Sequence, residues 1–172
     1  MSEPSNVFLI GPMGVGKSTI GRMLATALDK PFYDSDREIE AATGADIPWI
    51  FDVEGEAGFR IREERMIDTL TQRNGIVMAT GGGAILSPNS RKNLHARGTV
   101  IYLKASLVQQ FERTSKDRNR PLLQTADPMA RIRELMKIRE PLYAETAHIT
   151  VDTSRRGPRT VVTEIIRNLN RN

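Results

Sequence analysis

Cysteine is absent from the 172-residue chain, which excludes disulfides, a thiolate nucleophile and any cysteine-ligated zinc or iron–sulfur centre. Histidine is almost as scarce. With only His95 and His148, a multi-histidine metal site is not expected, and both are assigned structural roles. Aromatic residues amount to 5%, and no run of lysine and arginine is interleaved with them as a base-stacking platform would require. Long apolar runs are missing as well. The early run Val7–Ile10 falls far short of the ~7–15 residues of an export segment or the ~20 of a spanning helix, so a cytoplasmic protein without membrane contact is expected.

What is present is an ordinary globular balance, 39% hydrophobic and 27% charged, at a length that suits a single domain over residues 1–172. Twenty-five basic residues against 21 acidic ones leave a formal charge of +4, and that excess is local. The stretch 111–139 holds eight basic residues (Arg113, Lys116, Arg118, Arg120, Arg131, Arg133, Lys137, Arg139) and four acidic ones (Glu112, Asp117, Asp127, Glu134), a difference equal to that of the whole chain. A cationic cluster in a neutral background suits a small polyanion. Nucleic acid is not expected as a partner.

Short apolar runs alternate with helical patterns along the chain. Residues 7–10, 32–33, 76–79, 100–103 and 148–151 read as strands. Ile20, Met23, Leu24, Ala27 and Leu28 recur at helical spacing up to Pro31, and a last helix is expected from Pro158 to Leu169. Ser87-Pro88 and Asp127-Pro128 each pair a capping side chain with proline at the first helical position. The alternation predicts an α/β fold, a parallel sheet covered by helices on both faces, with ligands at the carboxyl ends of its strands. The polar and glycine-rich motifs fall at those ends.

Gly11-Pro-Met-Gly14-Val-Gly16-Lys17-Ser18 matches the phosphate-loop pattern G-x-x-x-x-G-K-[ST] without a gap, between a strand and an amphipathic helix. Its backbone amides can curl around phosphate and the helix adds its positive end. Lys17 places a charge at the transferred phosphoryl group, and Ser18 offers a hydroxyl to Mg²⁺. A nucleoside triphosphate is expected here. Asp34-Ser35-Asp36 closes the second strand. Alternation along an extended segment would send one carboxylate to the metal and nucleotide and the other to a second substrate; the plainer alternative is an Asx cap for a helix near Arg37.

Thr80-Gly81-Gly82-Gly83 follows the third strand, and such glycines let a ligand approach the backbone closely. No acid lies on that strand, so a metal must rely on Ser18, the nucleotide, waters and Asp34. Phe59, Met66, Ile67 and Leu70 form one helical stripe with Glu63 on the same face. Glu63 either orients Arg60 toward an anionic group or forms an ordinary surface pair with it. Arg118-Asn119-Arg120-Pro121-Leu122-Leu123 has the composition of a lid whose Arg120 reaches the transferring phosphoryl group. Arg139 is expected to end a helix before Pro141, closing on a carboxylate or complementing the helix terminus. Arg155-Arg156-Gly157-Pro158 follows the fifth strand, where it could flank a nucleotide base.

The ordered set GPMGVGKSTIGR, FYDSD, the E-x-x-FR segment at 56–60, ATGGG, RPLL and R-x-PLY resembles shikimate kinase of the short bacterial type over nearly the whole chain. The resemblance implies a three-layer fold like that of nucleoside monophosphate kinases: a five-stranded parallel sheet, a substrate-binding region near 36–62 and a lid near 114–124. It implies ATP-dependent phosphorylation of the 3-hydroxyl of shikimate, a step of aromatic amino-acid synthesis, by a monomer using one Mg²⁺ ion. Carried over by position, Asp36, Arg60, Gly82 and Arg139 would bind shikimate. Gly14, Val15, Gly16, Lys17, Ser18 and Thr19 would hold the phosphates, with Ser18 also on Mg²⁺. Arg113 and Pro158 would sandwich adenine, and Arg120 and Arg156 would contact the nucleotide. Lys17, Asp34 and Arg120 would carry the chemistry, with Asp34 the candidate base. The alternatives are a related kinase for gluconate or a nucleoside monophosphate, and a nucleotide-dependent binding protein.

Overall fold

In the computed structural model, which describes residues 5–115, 123 and 125–171, five strands form one parallel sheet in the order β2-β3-β1-β4-β5. They are β1 (Val7–Ile10), β2 (Phe32–Asp34), β3 (Val77–Ala79), β4 (Thr99–Lys104) and β5 (Ile149–Asp152). Helices α1 (Lys17–Leu28), α2 (Ser35–Thr43), α3 (Ile47–Thr71), α4 (Pro88–Arg97), α5 (Leu107–Thr114), α6 (Pro128–Thr146) and α7 (Pro158–Arg171) connect and flank them. The three-layer α/β arrangement is the one expected. Strand ends move by no more than one residue: β3 begins at Val77, the Ile76 N–H being taken by the Asn6 side chain at 3.0 Å. Among the described residues no helix is long and apolar enough to cross a membrane.

Side-chain alternation along β1 divides the core. Val7 and Leu9 pack with Ile20 and Leu24 of α1 and with Val161 and Ile165 of α7. Phe8 and Ile10 face the other way, against Ile67 and Leu70 of α3, Leu94 of α4 and Tyr143 of α6. A third cluster, Ile39, Ile47, Ile50 and Phe59, ties α2 to α3, so the region expected to bind substrate has a small core of its own. Helix α3 is broken within that region at Gly55, whose φ of 74° and ψ of 177° interrupt the helical backbone.

Two helix starts follow the cap-plus-proline reading: Ser87 Oγ accepts from the Ser90 N–H at 3.1 Å, and Asp127 Oδ1 from the Ala130 N–H at 3.1 Å. One helix end does not. The expectation that a helix stops before Pro141 is overturned, because α6 runs through it to Thr146. An internal proline costs a helix about 3 kcal/mol. Here Pro141 and Lys137, whose carbonyl loses its helical donor, are both exposed, while Ile132, Leu135, Arg139, Tyr143 and Thr146 make one buried stripe. Burial of that stripe outweighs the local preference. Arg139 therefore sits in mid-helix, and the reading of it as a helix-terminus charge falls.

The two histidines are structural. Their rings stack with centroids 4.1 Å apart, His148 Nδ1 accepts from the Val100 N–H at 2.9 Å, and His95 Nδ1 bonds the Thr146 carbonyl at 3.0 Å. The lid expected at 114–124, Arg118 and Arg120 included, lies outside the described residues except for Thr114, Ser115 and Leu123.

Candidate active site

The loop after β1 turns on Gly11, whose φ is 148° and where a Cβ would stand 2.5 Å from the Leu103 carbonyl oxygen on β4. Side chains cannot fit that approach. Five helices (α2 to α6) are capped by Asp34, Asp46, Ser87, Ser106 and Asp127. Helix α1 differs: Gly16 occupies its cap with a left-handed φ of 92° and no side-chain bond. A helix start without its own cap leaves donors for an anion. The Lys17 ammonium arches back over the loop and donates to the Gly11 and Pro12 carbonyls, each at 2.7 Å.

Ser18 leaves the same helix turn and donates to Asp34 Oδ2 at 2.5 Å. Asp34 ends β2 and caps α2, its Oδ1 accepting from the N–H groups of Asp36 at 3.0 Å and Arg37 at 3.4 Å. The cap reading of this pair thus holds. Asp34 is a cap with one oxygen and a partner of the phosphate-loop serine with the other. The alternation argument stops at Asp34, since α2 begins at Ser35 and Asp36 lies in its first turn.

The three glycines after β3 are each pressed against a different candidate residue. A Cβ on Gly81 would stand 2.8 Å from Asp36 Oδ1 and 3.0 Å from Glu63 Oε2; one on Gly82, 3.4 Å from Arg139 Nη1; one on Gly83, 2.4 Å from Arg60 Nη2. Close approach, not backbone freedom, is what demands glycine here. The same Cβ on Gly82 would lie 3.4 Å from the Met13 nitrogen and 3.3 Å from its Cγ, so this turn also abuts the phosphate loop. Tyr143, one turn beyond Arg139 on α6, donates its hydroxyl to the Gly82 carbonyl.

Arg60 donates to Glu63 Oε1 at 2.7 Å through Nη1 and to Glu56 Oε2 at 3.3 Å. Glu63 is only 3% exposed, so the surface-pair reading of Arg60 and Glu63 does not apply. Burial pushes the Glu63 carboxyl pKa up, against the opposing pull of Arg60 and Arg139. Burial works against the charge on Arg60, but Glu63 and Glu56 outweigh it and hold its pKa above the usual value. Arg139, also 3% exposed, is pushed down by burial and by the neighbouring Arg60 charge, with Tyr143 and Glu63 opposing. One buried and one partly buried guanidinium that repel each other, only partly relieved by Glu63, have the chemistry to receive an anion such as a carboxylate.

On the other side of the phosphate loop, Val15, Thr19, Arg113, Thr153, Arg156 and Pro158 line a recess of about 210 Å³. Arg113 donates to the Val15 carbonyl at 3.3 Å, and Arg156 to Glu164 Oε2 at 2.7 Å and the Asp152 carbonyl at 2.9 Å. The three residues expected around a nucleotide base are therefore together. Sequence reasoning missed Tyr143, Met13 and Glu164. Tyr143 and Met13 carried a signal, the first standing four residues after Arg139 and the second within the phosphate loop, both in motifs already singled out.

A family model described as shikimate kinase matches residues 13–170. A shikimate kinase from Thioalkalivibrio sulfidiphilus is 59% identical over 167 residues, 97% of this chain and 88% of its own length. One from Pseudomonas syringae pv. tomato is 57% identical over 95% of each chain. Among solved structures, shikimate kinase from Acinetobacter baumannii in complex with shikimate superimposes with a TM-score of 0.94 at 49% identity, over 96% of this chain and 92% of that one.

Proposed function

The chain belongs to the shikimate kinase family, and from that premise we propose that it transfers the terminal phosphoryl group of ATP to the 3-hydroxyl of shikimate. One observation carries this reading: the Gly81–Gly83 turn lies against Asp36, Arg60 and Arg139 and, at Gly82, against the phosphate loop at Met13 as well. An acceptor gripped by those side chains lies next to the phosphates of a bound nucleotide.

In this reading Arg60 and Arg139 take the carboxylate of shikimate, Asp36 accepts from its hydroxyls, and Gly82 donates its backbone N–H. The amides of Gly14 to Thr19 hold the phosphates. Lys17 exchanges its bonds to the Gly11 and Pro12 carbonyls for phosphate oxygens, and Arg113, Arg156 and Pro158 enclose the base. Transfer of a phosphoryl group needs alignment and charge neutralisation more than covalent chemistry. Asp34, held beside Ser18, is the group placed to accept the acceptor's proton. All these side chains come from one chain, which suits a monomer.

The residues present fit a single Mg²⁺. Ser18 Oγ and Asp34 Oδ2 offer two hard oxygens 2.5 Å apart, and among the described residues no cluster of three or more His, Cys, Asp or Glu could cage an ion. That donor set suits a cation that keeps its waters and binds chiefly through nucleotide phosphates. When bound, Mg²⁺ neutralises charge on those phosphates.

Production of ADP from Mg-ATP, followed against shikimate, gluconate and a nucleoside monophosphate, tests the reading. Shikimate alone should stimulate it. Arg139→Ala should raise the KM for shikimate by roughly tenfold or more, the loss of a charged hydrogen-bonding partner, with the KM for ATP nearly unchanged. Absence of stimulation by shikimate would overturn the proposal.

A further inference from the structure

Three consecutive glycines are intrinsically loose, since each populates a wide range of φ and ψ; the Gly81 and Gly83 carbonyls accept local bonds from the Ala84 and Leu86 N–H groups at 3.1 and 3.0 Å. Yet this turn has to present its amides and fit between three charged side chains. Its carbonyl at Gly82 is anchored from outside by the hydroxyl of Tyr143, 61 residues away in sequence. The Arg139 guanidinium, one helical turn earlier, lies beside the same phenol, and each shifts the ionisation of the other. Tyr143 is completely buried, and its ring stacks on Tyr102 with centroids 5.0 Å apart and planes at 26°. Tyr102 is held in turn by the bond from its own hydroxyl to Glu140. Neither ring has room to turn.

We propose that Tyr143 is a positioning residue for the acceptor site, its hydroxyl setting the Gly82–Gly83 peptide plane against which the Arg139 guanidinium lies. A hydroxyl donates one hydrogen and still accepts. Donation to the Gly82 carbonyl fixes the Gly82–Gly83 peptide plane, and the Gly83 N–H of that trans peptide must then point the opposite way. The Arg139 guanidinium lies against the same turn, 3.4 Å from where a Cβ on Gly82 would stand. The turn is thereby kept in register with the arginine by a group that itself stays behind the site. This inference rests on the functional reading above.

Tyr143→Phe keeps the ring and its stack and deletes the hydroxyl. Tyr102→Phe is the matched control: it removes a hydroxyl from the same stack that touches neither Gly82 nor Arg139. Relative to wild type, Tyr143→Phe should raise the KM for shikimate by roughly three- to tenfold, the effect of one buried hydrogen bond, and change the KM for ATP less than about twofold. Tyr102→Phe should leave both at wild-type values. Equal increases in both KM values, no increase for shikimate, or the same shift in Tyr102→Phe would overturn the proposal. A wild-type enzyme that shikimate does not stimulate would instead sink the functional reading.

Should Tyr143→Phe fail to fold, a polyfluorinated tyrosine at position 143 keeps the shape and makes the phenol more acidic. The charged groups facing that oxygen are Arg139, Arg60 and Glu63. Once ionised, the phenol cannot donate, so the KM for shikimate should climb with pH in this variant and not in wild type over the same range. A profile parallel to wild type overturns the assignment.

Discussion

Gly83→Ala isolates the carboxylate grip from the stability of the fold. Gly83 has φ −99° and ψ 7°, a negative-φ conformation open to alanine, so the substitution brings no left-handed strain. The added methyl would instead stand 2.4 Å from Arg60 Nη2 and 2.6 Å from its Cζ and Nη1. Ordinary contact begins at 3.4 Å, so the guanidinium must retreat by 1.0 Å, the difference between those distances. That moves it off the position from which it would hold the carboxylate of shikimate. A charge-assisted hydrogen bond is worth about 1.5–3 kcal/mol, which corresponds to a loss of roughly ten- to hundredfold in shikimate affinity. Folding should be little affected, because the displaced group is the end of a flexible side chain and alanine lowers the entropy of the unfolded state by about 0.4–1 kcal/mol. Initial rates of ADP formation at saturating ATP, with shikimate varied, read the effect, and a thermal melt controls for stability. An unchanged KM for shikimate, or an equal rise in the KM for ATP, would refute the reasoning.

The opposite signature is expected at the base recess. Arg156→Ala removes a wall of that recess along with its 2.7 Å bond to Glu164, and should raise the KM for ATP several-fold while the KM for shikimate stays put. A third expectation concerns acid. Burial and the neighbouring His95 lower the pKa of His148 below its ordinary 6.5, and its neutral Nδ1 holds the Val100 N–H at 2.9 Å. Below about pH 6.5 the unfolded chain takes a proton that the folded chain resists, so stability should be complete above that pH and fall as pH drops toward the folded pKa. Urea midpoints at pH 7.5 and 5.5 should show the loss in wild type and a smaller one in His148→Asn. Identical losses in the two proteins would remove His148 as the cause.

The parts legible in the sequence are those built from neighbours along the chain. The phosphate loop could be read from its spacing because glycines and a lysine within eight residues make a local backbone shape. The strands could be read because a parallel sheet buried on both faces needs short continuous apolar runs, and two helix starts because a cap and a proline act over one turn. Tertiary structure decided the rest. Gly81, Gly82 and Gly83 could be read as permissive, but which side chains crowd each of them follows from Asp36, Arg60 and Arg139 arriving from three other helices. Arg139 looked like the end of a helix before Pro141; only the burial of Tyr143 and Thr146 carries α6 past the proline and turns that arginine inward. Local rules act through a few bonds of backbone, whereas the acceptor site is made of contacts between residues tens of positions apart, whose meeting depends on the order of the strands.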